Sequence, residues 1–187
     1  MIEIGYVPDQ IADQIESLVL HNINFPWYLA PETTGYDLDS PDALPTDVSG
    51  EDPQFEHLVI GNNGMYSSEV YNDICKPIID CIGINKNVKR LKLNLLPNRP
   101  SRHLYHTPHV DYDQPHLTAI YYVNDNDGPT YFFNEMYDGT FQKLTQKEIF
   151  LPKKGKFVLF DGLRYHASSN PITKPIRCIM NINFYAE

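Results

Sequence analysis

Apolar positions in the first part of the chain recur at helical spacing, whereas in the second half they alternate. Residues 8–21 place Ile11, Ile15, Leu18 and Val19 on one stripe, with Pro8 suited to a first turn. Residues 66–82 repeat the pattern with Val70, Ile74, Ile78 and Ile82. Gly83 is the stop, and Pro77 is expected to kink the helix. From there the period changes to two. Leu91, Leu93 and Leu95 alternate with Lys92 and Asn94, and residues 117–123 are rich in aromatic and branched side chains. Residues 124–128 read as a turn, 130–133 as a strand, 153–155 as a second turn and 157–160 as a strand ended by Asp161-Gly162. Residues 176–185 form a last long strand. Helices followed by many short strands predict an α+β chain, a β-sandwich or barrel braced by helices.

Between the two predicted helices, residues 31–55 have almost no periodicity. They hold Pro31, Pro41, Pro45 and Pro53 among many acids. A loop this long beside a compact fold is expected to serve as an active-site lid. The 187 residues fit one domain with a substantial core. Their 42% apolar content, with 13 Tyr and 9 Phe, suits an aromatic-rich β fold. No apolar run approaches the roughly 20 residues that span a bilayer. The start, Met1-Ile-Glu-Ile-Gly-Tyr6, has no basic segment followed by an apolar one, which argues against a secretory leader. Cys75, Cys81 and Cys178 lack CxxC spacing and read as reduced, buried thiols, so a cytoplasmic location is expected. The net charge of −9 disfavours a general nucleic-acid binder. Lys86, Lys89, Arg90 and Lys92, then Arg99 and Arg102, form the one cationic stretch, and are expected to be solvated.

The candidate chemistry lies in His109-Val110-Asp111, in His166 and in Arg177. In an extended segment His109 and Asp111 point to the same face. Two imidazoles and a carboxylate can hold ferrous iron on one triangular face and leave the opposite positions open. Arg177 stands among apolar neighbours on the last strand, where a guanidinium needs a partner. A dianionic ligand such as 2-oxoglutarate would supply one through bidentate hydrogen bonds.

Pro108-His-Val-Asp111, residues 117–124, Asp127-Gly128, residues 155–161, His166 and Arg177 occur in an order and spacing that resemble the Fe(II)- and 2-oxoglutarate-dependent dioxygenases. The likeness is greatest to their prolyl-hydroxylase-like branch. It covers residues 91–185, about half of the chain. It implies a double-stranded β-helix, a jelly-roll, over residues 88–187, with helices and a loop over 1–87, all in one domain. It implies His109, Asp111 and His166 as iron ligands and catalytic centre, with Arg177 and Tyr122 on the far carboxylate of 2-oxoglutarate. Fe(II), 2-oxoglutarate and O₂ would be the cofactors and co-substrates. The implied reaction is hydroxylation of an aliphatic C–H, first of a prolyl-type peptide. The alternatives are a small-molecule hydroxylase, then a nucleic-acid demethylase, or a non-catalytic cupin-like binding module.

Two features depart from the family pattern. Gly128-Pro129 stands where paired glycines are common. Residues 91–96 contain no tyrosine to reach the co-substrate, so Lys92 or Asn94 would have to serve there, or nothing does. Phe25-Pro-Trp-Tyr28 matches no known substrate-binding module. His106 and His116 flank the HxD; His116 could help line the site, although a surface or structural role is the commoner one for it.

Overall fold

The computed structural model describes residues 2–34, 44–61, 68, 70–84, 86–140 and 143–186. Its elements in chain order are β1 (Ile2–Tyr6), α1 (Asp9–Leu20), β2 (Tyr28–Ala30), β3 (Ser49–Gly50), β4 (Gln54–Ile60) and α2 (Lys76–Ile82). Then follow β5 (Val88–Pro97), β6 (Tyr105–His106), β7 (His116–Tyr122), β8 (Thr130–Met136), β9 (Gln146–Phe150), β10 (Lys156–Asp161), β11 (Arg164–Ala167) and β12 (Ile176–Tyr185).

Helix α1 starts after Pro8, whose carbonyl accepts the Ile11 and Ala12 amides at 2.9 and 3.0 Å. It buries Ala12, Ile15 and Val19. The second helix is shorter than its apolar stripe predicts. A single π-helical turn, Tyr71–Cys75, precedes α2, and Pro77 falls in the first turn of α2. Proline lacks an N–H and crowds the carbonyl four residues back, so the α-helix begins at the proline instead of running through it. Residues 66, 67 and 69 of the predicted helix lie outside the described residues. Gly83 closes α2 at φ 73°, a left-handed conformation that a side chain would oppose.

Seven strands form one sheet in the order β1-β10-β7-β12-β5-β4-β2, with every pair antiparallel. Three more, β11-β8-β9, form a facing sheet, which a bridge between His109 and His166 extends. Alternation along the strands assigns the two faces of the large sheet. Leu91, Leu93, Ala119, Tyr121, Met180, Ile182 and Phe184 face outward and pack with Ile15, Val19, Ile74 and Ile78 of the helical layer. Ile120, Tyr122, Val158, Phe160 and Ile179 face inward and meet Phe132 and Phe150 of the small sheet. This is the expected double-stranded β-helix with helices outside.

The N-terminal part contains more than the helices and loop expected over 1–87, because β1, β2 and β4 all join the large sheet. Strand β4 is hard to read because its alternation is partly inverted. Gln54 is buried and Phe55 exposed. The stretch 31–55 therefore ends inside a strand. Its residues 35–43 lie outside the described residues. Among the described residues no helix is long and apolar enough to cross a membrane. The three cysteines are free, with Cys75 and Cys178 buried, and burial raises both thiol pKa values.

Candidate metal and co-substrate site

Strands β5, β7 and β12 carry polar residues at alternate positions on their inner faces: Arg90, Lys92 and Asn94; His116 and Thr118; Arg177, Asn181 and Asn183. Such positions would normally be apolar in a buried sheet. Here many of them line a cavity of about 220 Å³, together with Gln54, Glu56, His109, Asp111, Thr130, His166 and Ser168.

One ligand atom from each of His109, Asp111 and His166 lies within 4.8 Å of the others. The bridge between the small sheet's edge and the His109 segment holds the two imidazoles, with ring centroids 4.7 Å apart. Each histidine uses Nδ1 locally. His109 Nδ1 meets the Thr107 carbonyl at 3.0 Å, and His166 Nδ1 meets the Arg164 carbonyl at 3.1 Å. A carbonyl only accepts, so both Nδ1 atoms carry the proton and both Nε2 lone pairs are left for a metal. Burial lowers the His166 pKa to about 4, so it is neutral at physiological pH. Burial alone would raise the Asp111 pKa. The Arg90 guanidinium beside it, helped by the histidines, instead holds it well below the usual carboxylate range. A neutral, neutral and anionic donor set with two nitrogens and one oxygen fits a divalent iron.

The structure adds a cradle around Asp111 that the sequence did not reveal. Arg90 Nη2 donates to Oδ1 at 2.7 Å, with both side chains only 3% exposed. Asn183 Nδ2 donates to Oδ2 at 2.8 Å, and Asn181 Nδ2 to Oδ1 at 3.2 Å. Arg90 was expected to be solvated with the rest of its cationic stretch. Its parity with Lys92 and Asn94 puts all three on one face of β5, and only the tertiary structure makes that face the inner one. His116 lies close enough to Asp111 to feel its charge, and burial lowers the His116 pKa. It is not in the metal cluster. Its ring fills the space left by Gly162, where an added Cβ would meet Nε2 at 2.1 Å.

Arg177 is 1% exposed, and among the described residues no carboxylate pairs with it. Its Nε donates to the Gly128 carbonyl at 2.9 Å and its Nη2 to Thr130 Oγ1 at 2.8 Å. Tyr122 also donates to Thr130 Oγ1, at 3.0 Å, and does not itself line the cavity. Thr130, which carries no signal of its own in the sequence, thus accepts two hydrogen bonds and keeps its own proton to donate into the cavity. Gly128 explains why the Gly128-Pro129 turn works without a second glycine. A Cβ there would meet the Ser169 carbonyl oxygen at 2.7 Å, so the backbones touch directly.

His106, which flanks the HxD on its N-terminal side, is 1% exposed. It meets Ser168 Oγ through Nδ1 at 2.8 Å.

No protein-family model matches the sequence, and no curated protein matches it either. Solved structures share the fold. A prolyl hydroxylase from Trichoplax adhaerens, in complex with a hypoxia inducible factor oxygen degradation domain peptide fragment, superposes with a TM-score of 0.55 at 14% identity. The match covers 98% of this chain and 83% of that one. A Pseudomonas putida prolyl-4-hydroxylase gives 0.52 at 14% identity, over 98% and 91%. A non-haem alpha-ketoglutarate-dependent epimerase from nogalamycin biosynthesis gives 0.57 at 12% identity, over 98% and 77%. The chain therefore has the double-stranded β-helix fold seen in these oxygenases.

Proposed function

We propose that this protein is an Fe(II)- and 2-oxoglutarate-dependent oxygenase that hydroxylates an aliphatic C–H bond. The observation that carries the reading is that one cavity is lined by both a two-histidine, one-carboxylate cluster and a buried arginine. A facial set of His109, Asp111 and His166 brings two imidazole nitrogens without a hydrogen-bond partner and a carboxylate, itself held by Arg90, Asn181 and Asn183, within 4.8 Å of one another. Beside it a buried guanidinium, Arg177, lacks an acidic partner among the described residues. A ligand that chelates a metal at one end and carries a carboxylate at the other meets both needs, and 2-oxoglutarate is such a ligand.

Bound iron would supply the activation of O₂. The residues of this chain supply position and polarity. Arg177 holds the far carboxylate, with its fork aimed by Gly128 and Thr130, and the Thr130 hydroxyl donates to the same carboxylate. Tyr122 acts through Thr130. Arg90, Asn181 and Asn183 fix Asp111 ionised and in one orientation. Ile120 and Ile179 give the cavity an apolar floor, backed by Phe132 and Phe160 of the same core cluster. In balance, substrate R–H, 2-oxoglutarate and O₂ give R–OH, succinate and CO₂.

For the substrate, the prolyl-hydroxylase neighbours support a prolyl-type peptide. The polar and charged cavity wall favours a small polar molecule as the second reading. The three free thiols favour a cytoplasmic location. The test is an anaerobic titration of the purified chain with Fe(II), then 2-oxoglutarate, followed by air. A weak visible charge-transfer band and 2-oxoglutarate-dependent succinate are expected. A protein that binds neither, or whose band survives His166→Ala, would be a non-catalytic module.

A further inference from the structure

Next to Arg177 on the same face of the large sheet, the cavity wall formed by β4 and β5 carries an acid and an unpaired acceptor that 2-oxoglutarate cannot satisfy. On the inner face of β4 and β5, Glu56 stands directly across from Asn94, and Lys92 is one step along. Lys92 Nζ and Glu56 Oε2 are 3.1 Å apart, with the lysine side chain 13% exposed. All three residues line the cavity that holds the metal triad.

Asn94 also has an orphan. Its Oδ1 is buried with no hydrogen-bond partner. The amide cannot be turned to relieve this. Gln54 Nε2 donates to the Thr33 carbonyl at 3.3 Å, which points Gln54 Oε1 at Asn94. Asn94 Nδ2 donates to that oxygen at 3.0 Å. The chain of bonds runs one way and leaves Oδ1 as an acceptor. Asn181 repeats the pattern on the next strand. Its Nδ2 is committed to Asp111, and its Oδ1 is buried without a donor. The register pairs Asn181 with Lys92 and Ile179 with Asn94, so Asn94 and Asn181 are diagonal neighbours on one face. An acceptor left unmade inside a protein is costly. The dianion of 2-oxoglutarate has no N–H or O–H, so it cannot satisfy either oxygen.

We infer that the substrate of this site is a free α-amino acid. Its ammonium group is bound by Asn94 Oδ1 and the Glu56 carboxylate, and its carboxylate by Lys92. A zwitterion matches an ion pair lining a cavity, because each of its charges meets the opposite one. An internal peptidyl proline fits poorly, since its ring nitrogen has no proton and its carboxyl carries no charge. Asn94, Glu56 and Lys92 are specificity residues in this assignment, which rests on the oxygenase reading and takes its second substrate class, the small polar molecule, over the prolyl-type peptide.

The test loads the full-length protein anaerobically with Fe(II) and 2-oxoglutarate. It then measures, by calorimetry, binding of the twenty common free amino acids and of their N-acetyl, C-methylamide forms, and afterwards succinate release in air. At least one free amino acid should bind and raise succinate release ten-fold or more, with its capped form at least ten-fold weaker. Asn94→Leu and Lys92→Met should each weaken that binding ten-fold or more, the shift falling on the amino acid and not on 2-oxoglutarate. Glu56→Gln keeps the size of the wall and removes its charge, and should do the same if Lys92→Met fails to fold. Equal or better binding of the capped forms overturns the inference, as does a panel in which no free amino acid binds. A protein without the charge-transfer band fails at the earlier step, which separates the two outcomes.

Discussion

In the proposed reading, Arg177 is the residue on which co-substrate binding turns. Its fork is aimed by two fixed acceptors, the Gly128 carbonyl and Thr130 Oγ1. Lysine would keep the charge and lose the planar geometry. Removing one partner of such a contact costs about 2–5 kcal/mol, or roughly 30-fold to several thousand-fold in affinity. Arg177→Lys should therefore raise the 2-oxoglutarate KM by at least about 30-fold, with iron affinity nearly unchanged. Thr130→Val should raise it less, on the order of 1 kcal/mol, because a neutral hydroxyl contributes less than a charged fork. The two effects should be less than additive, since both groups hold one carboxylate. Unchanged 2-oxoglutarate kinetics in Arg177→Lys would make that arginine structural. His166 gives a pH test at the same scale. Burial lowers its pKa from 6.5 to about 4. Above pH 6.5 the folded and unfolded chains both carry it neutral, and it adds no pH dependence. Between pH 6.5 and about 4 only the unfolded chain takes up the proton, so stability falls as pH falls, by up to about 1.4 kcal/mol per pH unit. In chelator-treated protein, His166→Gln should flatten that slope in urea melts. An identical slope in the variant would contradict a buried neutral His166.

At the scale of elements, the site depends on where strands meet, and two contacts decide it. Gly128 touches the backbone of residues 169–171 and offers its carbonyl to Arg177. A methyl group there must push the two segments apart. Gly128→Ala should therefore both lower stability by about 1–3 kcal/mol and raise the 2-oxoglutarate KM, although residue 128 has no side chain to contribute. The second contact is the ion pair of Arg90 on β5 with Asp111 beyond β6. Breaking a buried pair by removing one partner typically costs about 3–5 kcal/mol. Arg90→Met should lose about that much in metal-free protein by denaturant melt. It should recover part of it when a divalent metal binds, because the metal replaces the positive charge beside Asp111. A variant that melts like the wild type would show the pair to be dispensable.

For the whole molecule, the proposed metal would be coupled to the fold. The three candidate ligands come from the segment after β6 and from β11, and the cradle around Asp111 comes from β5 and β12, so one ion would tie both sheets together. A ligand that binds only the folded state stabilises it by about 4 kcal/mol at a thousand-fold excess over its Kd. Adding Fe(II) under argon, or Mn(II) as a redox-stable stand-in, should raise Tm, and a chelator should reverse the shift. The shift should vanish in Asp111→Ala. A metal-dependent shift that persists in Asp111→Ala would place the metal elsewhere.

Much of the site was legible from residue types and local order alone. His109, Asp111, His166 and Arg177 stand out because each is a polar group of particular chemistry beside an apolar strand or turn, and alternation needs only the chain itself. The helical stripe of α1 and the strands β5, β7, β10 and β12 follow from the same local periods. What the sequence could not decide depends on the partner across the sheet. Arg90 and Lys92 look like ordinary solvated strand charges until β12 supplies Asn183 and Asn181 opposite them. Strand β4 hides its period because its inner face points at a polar cavity instead of a core, so Gln54 is buried and Phe55 is not. Thr130 and Gly128 acquire their roles only when β12 brings Arg177 to them from far along the chain. Local spacing selects which side chains can do the chemistry. Register and the closing of one sheet on the other decide which of them share the cavity.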